Sequence, residues 1–481
     1  MWHASGTSRR IAADGMSGLS CCFSGCHPRR QLARSYDGAM STQPPASDAE
    51  SLLSPVYAFN EPGQPIVLHD GSVGGLAPHD VPGVVELSCV PAPSVVWRIV
   101  DRSVGGVPGD PVMLVLRRPD GDARATGVCG SRHDGWSNGA VIGKADAPLQ
   151  RVVTHWFNLP NFHGPIALTR SSEVDDWWLG RWQMEVGGWT LTLDVRPDHA
   201  RVWRNLHEAH VYVMTHVMEI RRADGAPFTA AEVEPVLTAL HVGVSFALGR
   251  WAAPMLPVGE DSAGKVVWED WHPAHCDPAR RTSSGWWHEQ QHTSLTDFLG
   301  RVIAAFADPD RLPALRLQLM FGIAAVNDRG FVEQRVMMGA AGLEHLMWQT
   351  LALEGGMSER QYRNQDAHES LRRVLTDAQI STDIDAGFLP IMARFAAEEK
   401  HRQGKALDGP GVVTWVRNRL VHPKGMQEPV YRLQGLVAEV WLLTRHYLVL
   451  LILHSLGYQG AYRDLRKPQG WAGEVGNVPW K

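Results

Sequence analysis

An arginine, an asparagine and a histidine lie close together in the segment WVRNRLVHP, late in the sequence. Arg417 carries a permanent positive charge that can stabilise negative charge developing on a phosphate. His422 can accept and release a proton near neutral pH. Asn418 could orient the imidazole or bind a phosphate oxygen. This combination suits cleavage of RNA by its own 2′-hydroxyl group, a reaction that needs no metal ion and no other cofactor.

The spacing of apolar residues predicts a helix that presents these side chains. Apolar residues recur every four positions from Val412 to Leu420 and predict a buried stripe. Asn418 and His422 fall on roughly the opposite side, because successive helical residues are about 100° apart. Pro423 disfavours a helical conformation at His422, so the helix should end there. We therefore expect the imidazole and the guanidinium to lie outside the core, at a helix end.

Basic residues gather around the same segment. Arg419, Lys424 and Arg432 follow Arg417 closely, and Glu428 is the one acidic residue among them. Because the formal net charge of the chain is −5, attraction for RNA must come from a local patch of this kind. We predict that these three residues bind the RNA backbone. The alternative is a merely solvated helix end.

The pattern Arg-Asn-x-x-x-His occurs a second time in the sequence, from Arg363 to His368. This copy has no apolar stripe of its own and contains Asp366. We interpret it as a solvated first turn after Ser358. The surrounding helix pattern therefore favours the later copy as the chemical site.

The later copy resembles a motif of the HEPN superfamily. The resemblance rests on Arg-Asn-x-x-x-His late in a helical bundle, on the proline and apolar helix that follow, and on the closing segment LLILHSLGYQGAY. It covers roughly residues 300–460. The preceding segment VMTHVMEIRRADGAPFTAAE is similar in general layout to bacterial proteins that join a β domain to a HEPN domain.

The resemblance carries expectations about function. Many HEPN proteins are metal-independent endoribonucleases of stress or anti-phage defence. The resemblance implies that Arg417, Asn418 and His422 are the catalytic residues. It also implies a homodimer in which two protomers bring their motifs together, with RNA as the substrate.

A zinc hydrolase is a second, less favoured interpretation. His288, Glu289 and His292 form a literal H-E-x-x-H sequence. On a helix, the two histidines would share one face and hold Zn²⁺, with the glutamate as general base. No third ligand is indicated, and the segment lies at a predicted helix start. We therefore expect no metal in the protein.

A third interpretation is a dimer that binds RNA or a nucleotide without chemistry. In that case the β domain would recognise a further ligand, which the sequence does not identify. Glu333 and Glu344 lie on a predicted helix before the motif, and one of them could approach Arg417 and fix its rotamer. Surface charge is the plainer account of both glutamates.

Two kinds of secondary structure divide the chain, which has 481 residues and is 44% hydrophobic. Short β-branched segments such as VVELSCV and WTLTLDV predict strands in the first half, with one helix that begins after Thr229. A helical period predominates from about residue 293. We predict an α+β multidomain fold, with an N-terminal all-β sandwich-like domain and a C-terminal all-α HEPN-like helical bundle. The predicted parts are a disordered tail (1–55), a β-rich domain (56–255), a connecting region (256–292), the helical domain (293–465) and a C-terminal tail (466–481).

The ends of the chain and its most apolar segment bear on location. The tail contains Cys21, Cys22, Cys26 and His27, which we interpret as an accidental cluster, and Met40 is an alternative start. Residues 1–30 lack the apolar region of a secretory signal. Arg445 and His446 interrupt the apolar stretch 436–456, so we expect no contact with a membrane. A cytoplasmic protein is the resulting expectation.

Overall fold

The fold comes from a computed structural model that describes residues 49–101, 103, 105–170, 177–280, 283–403, 407–467 and 475–481, apart from the side chains of residues 205, 207 and 400–403. The cluster of Cys21, Cys22, Cys26 and His27 lies outside the described residues, as does Met40. Strands predominate before residue 271 and helices after residue 291. The predicted α+β class is confirmed.

Most of the strands lie in the first half of the chain. They are β1 (Glu50–Ser51), β2 (Ile66–Gly74), β3 (Val81–Ser88), β4 (Ser94–Ile99), β5 (Pro111–Arg118), β6 (Gly121–Cys129), β7 (Asp134–Ser137), β8 (Val141–Gly143), β9 (Arg151–Phe157), β10 (Ile166–Thr169), β11 (Trp177–Val186), β12 (Trp189–Val195), β13 (Met214–Arg222), β14 (Pro254–Glu260), β15 (Val266–Asp270), β16 (Ala461–Arg463) and β17 (Val475–Asn477).

The helices lie mostly in the second half. They are α1 (His199–Ala209), α2 (Ala230–Leu248), α3 (His292–Phe306), α4 (Leu312–Val326), α5 (Val332–Trp348), α6 (Glu359–Arg363), α7 (Ala367–Asp377), α8 (Pro390–Gln403), α9 (Gly409–Val421), α10 (Pro429–Arg432) and α11 (Leu436–Ser455). A π-helical turn, Gln349–Glu354, extends α5.

The first β-rich element is a barrel, not the expected sandwich. Its strands follow the closed order β2-β3-β4-β7-β6-β5. The ring is closed where Val73 of β2 pairs with Leu116 of β5. Trp97 and Leu114 are buried in its interior cluster. Alternating apolar residues predict strands with one buried face, but both a sandwich and a barrel meet that condition. The sandwich prediction is wrong because the two ends of the same sheet pair with each other.

The second β-rich element is a nine-stranded sheet with the order β1-β10-β11-β12-β13-β9-β14-β15-β8. Its pairs are antiparallel except for β1 with β10. Two helices, α1 and α2, lie between its strands in the chain, where one was predicted. Leu191 of the sheet and Leu240 of α2 belong to the same buried cluster as Phe298 of α3. This large sheet therefore shares a core with the helical half.

The start of α2 confirms the predicted N-cap. The backbone N–H of Thr229 donates to Glu232 Oε2 at 2.8 Å, and the Thr229 hydroxyl donates to the same oxygen at 2.9 Å. This contact forms one half of a capping box, which satisfies a backbone donor that the helix itself leaves free.

We expect Thr229→Ala to lower the free energy of unfolding by about 1 kcal/mol, because the cap is lost. Thr238→Ala makes the same chemical change inside the same helix, and we expect it to change stability by less than about 0.5 kcal/mol. Urea titrations of both variants measure the difference. Equal effects would show that the cap at Thr229 does not stabilise α2.

The helical half packs around α11. Helix α11 contacts α4, α5, α8 and α9. Both α2 and α11 are long and apolar enough to cross a membrane by length and composition, but 61% and 89% of their apolar windows are buried inside the structure. Burial of this kind is typical of core helices. Gly435 adopts φ +90 and separates α10 from α11.

Several elements lie close to the predicted domain boundaries. The boundary between residues 255 and 256 falls inside β14, and the predicted connecting region also supplies β15 to the large sheet. Glu50 and Ser51, within the predicted tail, pair with β10. At the other end, β17 pairs with β16. The boundaries themselves stay predictions.

Candidate functional site

Helix α9 carries the residues predicted to do chemistry. It begins after Asp408, whose side chain accepts the backbone N–H of Gly411 at 2.9 Å. Arg372 of α7 holds this carboxylate with two bonds, of 2.6 and 3.0 Å. The helix ends at Val421, and His422 has the non-helical angles φ −126 and ψ 71 before Pro423, as predicted.

Arg417 is held on both sides. Its Nη2 donates to Glu344 Oε2 at 3.0 Å, and its Nη1 donates to Asn418 Oδ1 at 3.0 Å. The arginine side chain is 32% exposed, and the glutamate side chain is 49% exposed. Of the two glutamates that the sequence offered, Glu344 of α5 is thus the one that contacts Arg417. The ion pair fixes the guanidinium, but it also neutralises part of its charge.

His422 is exposed at the end of α9, where its backbone N–H donates to the Asn418 carbonyl at 2.8 Å. None of the described side chains donates a hydrogen bond to its imidazole or accepts one from it. The structure therefore joins Arg417 to Asn418 through their side chains, whereas His422 is linked to them only through the backbone.

A cleft opens beside Arg417, between α5, α7 and α9. Its empty volume is about 330 Å³, which includes space that is open to solvent. The walls are mostly apolar, with Leu343, Met347, Leu371 and Val413 among the lining residues, and Arg417 and Glu344 supply charge.

The predicted basic patch is less basic than its sequence suggests. Arg419 lies 3.5 Å from a carboxylate oxygen of Glu428, and its guanidinium carbon lies 5.2 Å from the ring centroid of Trp415. Arg432 Nε donates to the Met426 carbonyl at 3.3 Å. Lys424 is exposed. Arg417 and Arg419 both face carboxylates. The positive charges of Lys424 and Arg432 are therefore the least neutralised in the predicted basic patch.

Three apolar side chains are exposed in the segment 421–431, which contains His422. Val421 is 41% exposed, Met426 is 71% exposed and Tyr431 is 44% exposed. Single exposed apolar residues are common, but a group of them beside charged residues is typical of a surface that another molecule covers.

The H-E-x-x-H segment is not helical. His288 to Gln291 form a turn in which His288 Nδ1 accepts the backbone N–H of Gln290 at 3.2 Å, and α3 begins only at His292. The two histidines therefore do not share a helix face, which zinc binding by this motif requires. Among the described residues, no group of three or more His, Cys, Asp or Glu side chains is placed to hold a metal ion.

One cluster was not predicted from the sequence. The guanidinium carbons of Arg335 and Arg445 each lie 4.2 Å from the ring centroid of Trp441. The only signal in the sequence was a charged residue, Arg445, in the middle of the most apolar segment.

Comparison with known proteins gives matches in two segments. Residues 144–282 match the family model described as the YopA central domain, and residues 313–477 match the one described as the YopA C-terminal domain. The SPbeta prophage-derived uncharacterized protein YopA of Bacillus subtilis (strain 168) is 28% identical over 310 residues, which are 63% of this chain and 66% of that protein. The chain thus spans just under two thirds of the length of this relative. No solved structure matches.

These matches overturn the expected resemblance to the HEPN superfamily. The segment that contains Arg417, Asn418 and His422 falls within the match to the YopA C-terminal domain, and no HEPN family is matched. A motif of three residues within six positions recurs by chance in a long chain, as its second copy at Arg363 illustrates. The chain is similar to YopA in its central and C-terminal domains, and the HEPN prediction is wrong.

Proposed function

We propose that the protein is a metal-independent endoribonuclease that binds RNA at the exposed end of α9. One observation carries the proposal: Glu344 and Asn418 hold the guanidinium of Arg417 on α9, and the same helix exposes His422 at its end. A fixed cation and a solvent-accessible imidazole are the groups that transesterification of RNA requires. The proposal places the reaction in the cytoplasm, where RNA is abundant.

The proposed reaction needs only the substrate and these side chains. His422 takes the proton of the 2′-hydroxyl group, and the oxygen attacks the adjacent phosphorus. Arg417 stabilises the negative charge on the phosphorane oxygens, and the amide of Asn418 binds one of them. The bond to the 5′-oxygen breaks, and this oxygen takes a proton from solvent or from a second imidazole. The products are a 2′,3′-cyclic phosphate and a 5′-hydroxyl group.

A homodimer is part of the proposal. Its support is the exposed apolar group of Val421, Met426 and Tyr431 beside His422. A second copy that covers this group would bring a second His422 near the first and would exclude water from the scissile phosphate. One imidazole would then act as base and the other as acid.

The test is an RNA cleavage assay with EDTA present. We expect the wild type to cleave RNA and to leave 2′,3′-cyclic phosphate ends, and Arg417→Met/His422→Asn to cleave at least about 10³-fold more slowly. The second copy of the motif supplies a matched control, Arg363→Met/His368→Asn, which should cleave like the wild type. Equal cleavage by all three proteins would contradict the proposal. A mass measurement in solution tests the dimer.

A second candidate is an RNA-binding or nucleotide-binding dimer without chemistry. It is favoured by one observation: none of the described residues fixes the tautomer of the His422 imidazole through a hydrogen bond. A complex of the wild type with RNA that is stable for hours and yields no products would support this candidate instead. If the protein binds RNA without cleaving it, Arg417→Met should lower the affinity for RNA.

A further inference from the structure

Arg445 is a buried cation with no acidic partner among the residues that the structure describes. It lies on α11, is 5% exposed, and its Nε donates to the Leu465 carbonyl at 2.9 Å. Trp441 is one helical turn earlier on the same face, and its ring lies under the guanidinium. No described carboxylate lies within ion-pair distance of Arg445, and its two terminal nitrogens make no hydrogen bond to a described residue. An unpaired buried charge of this kind is rare in proteins.

A second arginine approaches the same ring from α5. The guanidinium carbons of Arg335 and Arg445 both lie 4.2 Å from the ring centroid of Trp441. The distance between these two carbons is therefore at most twice this value. The Nε of Arg335 is buried and has no hydrogen-bond partner. The indole N–H of Trp441 donates to the Ala325 carbonyl at 2.6 Å, which fixes the ring.

Three acidic residues act electrostatically on this cluster: Asp328, Asp464 and the exposed Glu333. Asp328 pairs with Arg280, and Asp464 pairs with Arg466 at 2.7 Å. Burial lowers the pKa of Arg445 to about 9, and the positive charges of Arg463 and Arg335 contribute further. The three arginines therefore leave a local excess of positive charge inside the protein.

Other buried arginines of this chain have their terminal nitrogens satisfied: those of Arg250 donate to the carbonyls of Asn158 and Asp277. Arg181 is also buried, and it donates two bonds of 2.7 Å to Asp194. In the described part of the chain, neither Arg445 nor Arg335 has such a carboxylate. The terminal nitrogens of Arg445 and the Nε of Arg335 are therefore available to a ligand, whereas Arg335 Nη2 donates to the Gly330 carbonyl at 3.4 Å.

We propose that Arg445, Arg335 and Trp441 form a binding site for a phosphate dianion, either free or as the terminal phosphoryl group of a small molecule. The two terminal nitrogens of Arg445 present parallel N–H donors that match two phosphate oxygens, and the Nε of Arg335 supplies a further donor. A dianion neutralises both arginines at once, which a carboxylate does not. The site lies on other residues than Arg417 and His422 and does not depend on the function proposed for them.

The experiment compares melting temperatures of the full chain in inorganic phosphate and in chloride of equal ionic strength. Phosphate should raise the Tm of the wild type by about 2 °C or more through binding to the folded state. Arg445→Met keeps the length of the side chain and removes the charge. In chloride, we expect this variant to melt at or above the Tm of the wild type, because an apolar substitute relieves an unpaired charge. In phosphate, we expect it to melt below the Tm of the wild type, because it no longer binds the anion.

Two controls make the result decisive. Arg301→Met removes an arginine that pairs with Asp297 at 3.0 Å, and its Tm change should be the same in both salts. Arg335→Gln removes the charge of the half-buried arginine of the proposed phosphate site. It should weaken phosphate binding, measured by calorimetry, by about tenfold. If phosphate changes the Tm of the wild type and of Arg445→Met by the same amount, the proposal is overturned, since a general salt effect acts on both proteins alike.

The source of the phosphate group is resolved by two further probes. Uridine 5′-monophosphate and uridine differ only in the phosphoryl group. Stronger binding of the nucleotide than of inorganic phosphate, lost in Arg445→Met, would identify a phosphorylated small molecule as the ligand. Equal binding of both would identify free phosphate. Binding of uridine itself that Arg445→Met leaves unchanged would contradict the proposed chemistry.

Discussion

Replacing His422 with alanine is expected to slow RNA cleavage by about 10²–10⁴-fold, because the imidazole is proposed to take the proton of the attacking hydroxyl group. RNA affinity should change by less than about threefold, since Arg417 and Asn418 remain in place. Single-turnover rates with excess protein separate the two effects. Because His422 is exposed at a helix end, its loss should leave the far-UV circular dichroism spectrum unchanged.

Added imidazole provides a readout that a structural role would not change. The exposed position leaves space for a free imidazole in His422→Ala, so we expect partial recovery of cleavage with millimolar imidazole. The matched control is His368→Ala, in the second copy of the motif, which should neither lose activity nor respond to imidazole. Full activity of His422→Ala would show that another group takes the proton.

Asp194→Ala is expected to lower the free energy of unfolding by about 3–5 kcal/mol. Asp194 is completely buried, accepts two hydrogen bonds of 2.7 Å from Arg181 and accepts the backbone N–H of Leu53 at 2.8 Å. Its removal leaves a buried guanidinium without its main partner and a backbone donor unsatisfied. Urea titration followed by circular dichroism measures the loss.

The other partner of Arg181 supplies the control. Glu50 contacts the same guanidinium from β1, but its side chain is 53% exposed. We expect Glu50→Ala to cost no more than about 1 kcal/mol, because solvent screens an exposed ion pair. A loss for Glu50→Ala as large as that for Asp194→Ala would show that burial does not govern the strength of this network.

Local patterns predicted individual elements better than their arrangement. The segment WTLTLDV is strand β12 from its first residue to its last, and Thr229 caps α2 as expected. Helix α1 was missed because it is short and polar, with no side-chain cap. The pairing that closes the barrel joins Val73 to Leu116, and alternation within either strand does not encode such a distant contact.

The candidate site shows the same limit. The end of α9 could be predicted because Pro423 acts on its immediate neighbour. Glu344 is 73 positions from Arg417, so the sequence offered it only as one of two candidates. The partner of Arg419 was visible in the sequence as Glu428, yet its neutralising effect depends on a distance that only the fold sets. Family membership could not be predicted from three residues at all.

The strand order also limits how copies of the protein can aggregate. The barrel closes on itself where Val73 and Gly74 pair with β5, and it therefore offers less free backbone edge to another chain than an open sheet does. The outermost strands of the nine-stranded sheet, β1 and β8, are two and three residues long, which is too short to template an intermolecular sheet. Fibril-like growth by strand addition is therefore disfavoured in the native state, and contacts between copies are left to helical surfaces.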